Sequence, residues 1–269
     1  MNNKKILTFA LLNLSFISIA KAAPQSYIVY DFANNIVLEE KNINNTQPIA
    51  SLTKLMTANV FLALNKNPNC KMSITDADTD TIKGTRTRLP KNTPIACDDL
   101  LKAMLVSSDN YAASALGRAI PGYTKSEFVK EMNRYALSIG MLNTHFVDTS
   151  GLSPQNVSSV SDLVILSGRS ILNDDMRYIT SMTNTEVNSI DNPYQKVAFR
   201  NSNSLVRNGT YQPLISKTGY IKESGYNLVF VNAYSCNNNS VLGIISLNNP
   251  SSSARAAFTQ EKLRQYQCS

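Results

Sequence analysis

Ser51-Leu52-Thr53-Lys54-Leu55-Met56-Thr57-Ala58-Asn59-Val60-Phe61-Leu62-Ala63-Leu64 reads as a helix. Leu52, Leu55, Met56, Val60 and Leu64 recur at helical spacing, no glycine or proline interrupts them, and Pro48 lies just upstream, where a helix can begin. Positions three apart share a helix face, so the Ser51 hydroxyl and the Lys54 amine fall within hydrogen-bond reach. Ser51 also sits at the helix N-terminus, where unpaired N–H groups and the dipole favour developing negative charge. Alone, the pattern is weak. About one Ser-x-x-Lys is expected by chance in a chain of this size, and an ordinary amphipathic helix would account for it.

On the N-terminal side, residues 27–30 and 36–40 are β-prone around an Ala33-Asn34-Asn35 turn and predict a hairpin. Beyond the helix, residues 66–98 are polar and irregular apart from two short strand-like pieces, 71–75 and 93–97. Asp98 then stands as a cap before a helix through Leu100, Leu101, Met104 and Leu105. Residues 110–120, 126–140 and 161–172 also read as helices, with Gly140 as a C-terminal stop and Ser161 as an N-cap. The last third changes character: 214–216, 226–233 and 241–247 are strand-like, and 254–265 close the chain as a helix. This order predicts an α+β fold in which N- and C-terminal strands share one antiparallel sheet covered by helices, with the helical middle as a second lobe.

At 269 residues, 43% apolar and 17% charged, the chain can bury a sizeable core and is not intrinsically disordered. Lys4 and Lys5, an apolar run over 6–20 and Ala20-Lys21-Ala22 form a signal-peptide pattern, with the mature chain starting at Ala23. That run falls short of the ~20 residues a membrane span needs, so no span is expected after cleavage. Residues 23–269 carry a net charge of +4 with no dense basic run, which gives no support to nucleic-acid binding. With one histidine and four scattered cysteines, no metal site and no cofactor are expected. His145 could serve a Ser-His-Asp triad only with an elbow serine, and no Gly-x-Ser-x-Gly occurs, so it reads as structural. Export implies an oxidising compartment. Antiparallel pairing of 71–75 with 93–97 would bring Cys70 to Cys97, leaving Cys236 for Cys268; free thiols are the alternative.

Two further elements change the weight of the first. Ser108-Asp109-Asn110 follows the apolar stretch 100–106, and Lys217-Thr218-Gly219 follows the β-like Leu214-Ile215-Ser216. As a helix cap and a strand end each is unremarkable, but either tripeptide arises by chance in only a few per cent of chains this long. All three in this order, on helix, loop and strand, form the element set of penicillin-binding proteins and class A β-lactamases. The sequence resembles the penicilloyl-serine transferase superfamily, and within it the low-molecular-mass D-alanyl-D-alanine carboxypeptidase/endopeptidase branch. Thr87-Arg88-Leu89-Pro90-Lys91, Leu105-Val106-Ser107-Ser108-Asp109-Asn110, Asn143-Thr144-His145-Phe146-Val147-Asp148, Gly151-Leu152 and Ser216-Lys217-Thr218-Gly219-Tyr220 carry the likeness over essentially all of 23–269. It is nearest the short endopeptidase type.

The resemblance implies a β-lactamase/transpeptidase-like fold, a five-stranded antiparallel sheet flanked by helices plus a helical lobe, in one peptidase domain after a signal peptide over 1–22. It also implies a periplasmic enzyme that hydrolyses D-alanyl bonds of peptidoglycan stems through an acyl-enzyme. The preferred bond would be the D-Ala to meso-diaminopimelate cross-link, with carboxypeptidase activity beside it and β-lactams as covalent inhibitors. Ser51 would be the nucleophile and Lys54 its base, kept neutral by burial and by the nearby Lys217 cation. Ser108 would relay the proton and Asn110 would hold the substrate amide. Lys217 and Thr218 would face its carboxylate, while Gly219 would let the substrate backbone lie close to the strand. The N–H groups of Ser51 and Tyr220 would form the oxyanion hole. Two rivals share these elements: a class A-like β-lactamase, which needs a water-activating carboxylate in a Glu-x-x-Leu-Asn stretch absent here, and a penicillin-binding sensor that hydrolyses nothing.

Overall fold

The structure, a computed structural model, describes residues 23–192, 194, 196–234 and 240–267. The expected leader and the Cys236–Cys268 pair lie outside the described residues. The central sheet has five antiparallel strands: β1 (Ser26–Asp31), β2 (Ile36–Lys41), β3 (Ile215–Ile221), β4 (Gly225–Tyr234) and β5 (Ser240–Asn249), in spatial order β2-β1-β5-β4-β3. N- and C-terminal strands therefore share one sheet, as the sequence predicts. Register pairs Ile28 with Ile245 and Phe230 with Ile244. The inner strands read as near-continuous apolar runs because both faces of the sheet are covered. Side-chain alternation deals them to two cores. Val229, Val231, Ile245 and Leu247 join the large core of the helical side. Leu228, Phe230, Leu242 and Ile244 pack with Leu263 of the C-terminal helix on the other.

The helices are α1 (Thr53–Leu64), α2 (Cys97–Val106), α3 (Asn110–Leu116), α4 (Lys125–Ser138), α5 (Val160–Ile171), α6 (Asp174–Ser181), α7 (Ser204–Arg207) and α8 (Ser252–Tyr266). None of the described helices is long and apolar enough to cross a membrane. α1 is not an amphipathic surface helix: every residue from Thr53 to Phe61 is buried, so it runs through the middle of the molecule. Two of its buried polar side chains find partners there. Thr57 donates to the Thr149 carbonyl at 2.7 Å, and Asn59 donates to Leu55 O and Ser170 Oγ.

The short strands Lys71–Ser73 and Pro94–Ala96 pair antiparallel, with Lys71 opposite Ala96, and Cys70 is bonded to Cys97. Closing the 27-residue separation contributes about 3 kcal/mol and fastens the start of α2, which leads to Ser108. Two expected caps are corrected. Ala96, not Asp98, precedes α2, and Asp98 and Asp99 lie in its first turn, where they face the positive end of the helix dipole. Ser159, not Ser161, caps α5 by accepting from Asp162 N, while the Ser161 hydroxyl bonds Ser159 and Asn44. Gly140 stands just past α4 at φ +89°, as a stop residue should. The ribbon Asn184–Asn188 with Lys196–Arg200 was not foreseen; Val187 and Phe199 are its buried side chains, so it carries almost no apolar pattern.

Candidate active site

The chain enters α1 through one 3-10 turn, Ala50–Leu52, with Ala50 in the left-handed region at φ +48°. Three residues complete such a turn, so positions i and i+3 eclipse. Lys54 Nζ accordingly lies 2.9 Å from Ser51 Oγ, 2.7 Å from Asn110 Oδ1 and 2.6 Å from the Ser150 carbonyl oxygen. Both of the last two atoms can only accept, and a neutral amine has two N–H groups and one lone pair. Once the N–H groups are spent on Asn110 and Ser150, the lone pair is aimed at the Ser51 hydroxyl. The Lys54 side chain is fully buried, and burial pulls its pKa down from 10.5 to about 7 against the upward pull of Asp148, Asp109 and Asp80. Neutral Lys54 is therefore well populated at neutral pH.

Ser108 follows α2 at φ +67°, a left-handed conformation that costs a serine on the order of 1–2 kcal/mol. It is held there because Asp109 caps α3, accepting from Ala112 N, and takes the Thr87 hydroxyl on its other oxygen. The Ser108 hydroxyl is thereby turned toward β3, where Lys217 Nζ donates to it at 2.9 Å. Lys217 is buried as well and donates to Thr218 O at 2.8 Å. Burial, then repulsion from Lys54 and from the Arg255 guanidinium on α8, pushes its amine well below the ordinary lysine range. Burial is thus the first cause of the weak basicity of both amines, and the repulsion between them lowers Lys217 further. Thr218 shares a 2.6 Å hydrogen bond with Ser202.

Gly219 has a packing reason beside its expected role toward substrate. A Cβ there would lie 2.7 Å from Ile49 O and 3.2 Å from Ser51 N, so the edge strand β3 rests directly on the backbone that carries Ser51. Gly151, at φ +81°, does the same from the opposite side, where a Cβ would meet Ala50 O at 1.9 Å. The Ala50–Ser51 peptide is clamped between two glycines. Gly151→Ala is expected to destabilise the protein by about 3 kcal/mol or more, from overpacking added to a left-handed backbone. Thermal unfolding would measure the loss, and penicillin acylation should fall with it. Tyr220 follows on the strand as an exposed residue with its ring stacked on Tyr226, centroids 4.3 Å apart.

Ser51, Lys54, Ser108, Asn110, Lys217, Thr218, Gly219 and Tyr220 thus come together at the junction of α1, the α2–α3 loop and β3. His145 does not join them: it is exposed, and its backbone bridges Val157. Sequence reading missed the surrounding supports. Asp148 accepts from Ser150 N, Ser150 Oγ and Gly151 N on one oxygen, and from Ser153 N and Asn156 Nδ2 on the other. It thereby shapes the loop that presents the Ser150 carbonyl to Lys54. Those hydrogen bonds overcome the upward effect of burial and keep the Asp148 carboxyl below its usual range. Asp80 and Thr85 brace Asn110 from the other side. No spacing rule ties 80, 85 and 148 to Lys54, because loops bring them there. A cavity of about 400 Å³ opens beside Asn110 and Ser150, walled by Asp80, Thr81, Ile82 and Leu152 among others.

The family model for D-alanyl-D-alanine carboxypeptidase, peptidase family S11, matches residues 15–250. The chain belongs to this family. Among its relatives in the D-alanyl-D-alanine carboxypeptidase family is the D-alanyl-D-alanine endopeptidase of Haemophilus influenzae, 52% identical over 247 residues, which cover 92% of this chain and 83% of that protein. Penicillin-binding protein D2 of Listeria monocytogenes, solved in its ampicillin-bound form, superposes with a TM-score of 0.73 at 27% identity, covering 90% of this chain and 96% of that one. The Streptomyces K15 DD-transpeptidase, with a TM-score of 0.80 at 23% identity and the same coverages, shares the fold. The β-lactamase/transpeptidase-like architecture implied by the sequence is therefore the architecture of this protein, and the family makes it a serine-type D-alanyl-D-alanine peptidase.

Proposed function

We propose that the protein is an exported DD-endopeptidase that opens D-Ala to meso-diaminopimelate cross-links of peptidoglycan, with 1–22 as its signal peptide, 23–269 as the peptidase domain and the periplasm as its place of action. The observation that carries the chemistry is the Lys54 amine, whose two carbonyl partners leave its lone pair facing Ser51 Oγ at 2.9 Å. The endopeptidase preference is taken from the Haemophilus relative.

In this reading Ser51 Oγ attacks the D-Ala carbonyl carbon while its proton passes to Lys54. The oxyanion is received by the N–H groups of Ser51, whose backbone the two glycines pack against, and of Tyr220, the residue after Gly219. Ser108, bonded to Lys217, hands a proton to the departing amine nitrogen and takes one back from Lys54, which is neutral again; the C–N bond breaks, and the acyl group stays on Ser51. Water, giving a proton to Lys54, then attacks the ester carbonyl, and Lys54 returns that proton to the departing Ser51 oxygen. Asn110 positions the substrate amide, and Lys217 and Thr218 take a carboxylate of the peptide. Peptidoglycan stems are the substrate and β-lactams the covalent inhibitors. The β-lactamase reading finds no support in Asp148, whose two oxygens are already occupied by five donors.

Purified protein incubated with cross-linked and uncross-linked muropeptides is expected to convert cross-linked dimers to monomers, with slower loss of terminal D-Ala from monomers. Chromatography of the products checks both. Intact dimers with efficient D-Ala release would reverse the preference, and rapid penicillin turnover without muropeptide cleavage would sink the reading.

A further inference from the structure

Asn110 can serve Lys54 only if its amide presents oxygen rather than NH2 to the amine, and the orientation is set from outside the three sequence elements. Thr85 Oγ1 lies 2.6 Å from Asp80 Oδ2 and 2.9 Å from Asn110 Nδ2. A threonine hydroxyl has one proton. The Asp80 carboxylate can only accept, so that proton goes to Asp80 and the Thr85 oxygen must accept from Asn110. The NH2 of Asn110 is therefore drawn to Thr85, and its oxygen is left for Lys54 at 2.7 Å. Asp80 is locked in turn. It accepts from Ile82 N at 2.8 Å, Lys83 N at 2.9 Å and Thr85 N at 2.8 Å, and these bonds keep it ionised against its burial. The loop is stapled to the Asn110 segment twice more, by Tyr111 Oη donating to Thr85 O at 3.1 Å and Thr87 Oγ1 donating to Asp109 Oδ2 at 2.7 Å.

We propose that Thr85, oriented by Asp80, is a positioning residue for catalysis: the chain Asp80 carboxylate, Thr85 hydroxyl, Asn110 amide, Lys54 amine fixes the lone pair of the base on Ser51. Valine at 85 has nearly the same shape but neither donor nor acceptor, so the Asn110 amide can turn and offer its NH2 to Lys54. That NH2 captures the lone pair, and the loss of an acceptor disfavours the ammonium form. The other charges facing Lys54 are Asp148 from the 148–156 loop, Asp109 from the start of α3, Asp80 itself and Lys217 from β3, and all remain in the variant.

The inference rests on the reading of Ser51 and Lys54 given above, so the test begins by locating the penicillin adduct in wild-type protein by peptide mapping. An adduct away from Ser51 would overturn that reading; an adduct on Ser51 leaves the outcome to Thr85 alone. Acylation by a fluorescent penicillin is then followed from pH 5 to pH 9 in wild type, Thr85→Val and Thr85→Ser. Thr85→Val is expected to acylate about 10- to 100-fold more slowly, the worth of one hydrogen bond at a charged centre, with the acid limb of its profile moved to lower pH. Thr85→Ser, which keeps the hydroxyl, should restore both to within about threefold. An undiminished rate, a loss with the acid limb unmoved, or a serine variant as impaired as the valine one overturns the proposal. If valine prevents folding, Thr85→Ala makes the same deletion without added bulk, and the same criteria apply.

Discussion

Ser51→Ala is expected to stop peptide hydrolysis almost completely, with a fall of about 10⁶ in rate, and to abolish the covalent penicillin adduct. The size of the effect follows from what the hydroxyl does. In the proposed mechanism it is the atom that forms the acyl bond, and the other serine hydroxyl of the site, that of Ser108, is already engaged by Lys217. Folding should be nearly untouched. Ser51 is only half-buried, and its hydroxyl bonds Lys54, which keeps its bonds to Asn110 and Ser150 in the variant. Intact-protein mass spectrometry after penicillin treatment, with thermal unfolding as a control, separates loss of chemistry from loss of structure. An adduct surviving in Ser51→Ala would remove Ser51 from the role of nucleophile.

The parts of the site that could be read in the sequence are those whose function requires a fixed residue type at a fixed local spacing. Ser51 and Lys54 are one turn apart, so backbone geometry alone makes them neighbours. Lys217, Thr218 and Gly219 follow one another on a strand whose partners were visible as apolar runs. What escaped is long-range. Ser150 reaches Lys54 across 96 residues and Thr85 reaches Asn110 across 25, through loops whose polar sequences carry no periodicity. The packing role of Gly219 was not legible, because a clash with Ile49 O exists only once strand and helix entrance are in contact. The inner sheet was legible for the opposite cause. Its strands face two cores at once, and their near-continuous apolar runs announce that before any contact is known.

Lys54→Arg is expected to lower acylation about 10³- to 10⁴-fold at every pH between 6 and 9, because a guanidinium stays protonated throughout and offers no lone pair. Wild-type protein supplies the contrast. Its Lys54 loses its proton near pH 7 rather than 10.5, so acylation should fall tenfold for each pH unit below about 7 and level off above it. The same shift has a consequence for stability, with a definite sign. Between about pH 7 and 10.5 the unfolded chain holds a proton on this lysine that the folded chain has released. Stability contributed by the residue is therefore complete above the unfolded value and is lost progressively as pH falls toward 7. Lys217, also buried and pushed down, acts in the same direction. Urea unfolding of wild type is thus expected to require more denaturant as pH rises from 7 toward 9, while Lys54→Arg, charged in both states over that range, should show a shallower rise. An acid limb that persists unchanged in Lys54→Arg would show that another group supplies the titration, and Lys54 would no longer be the base.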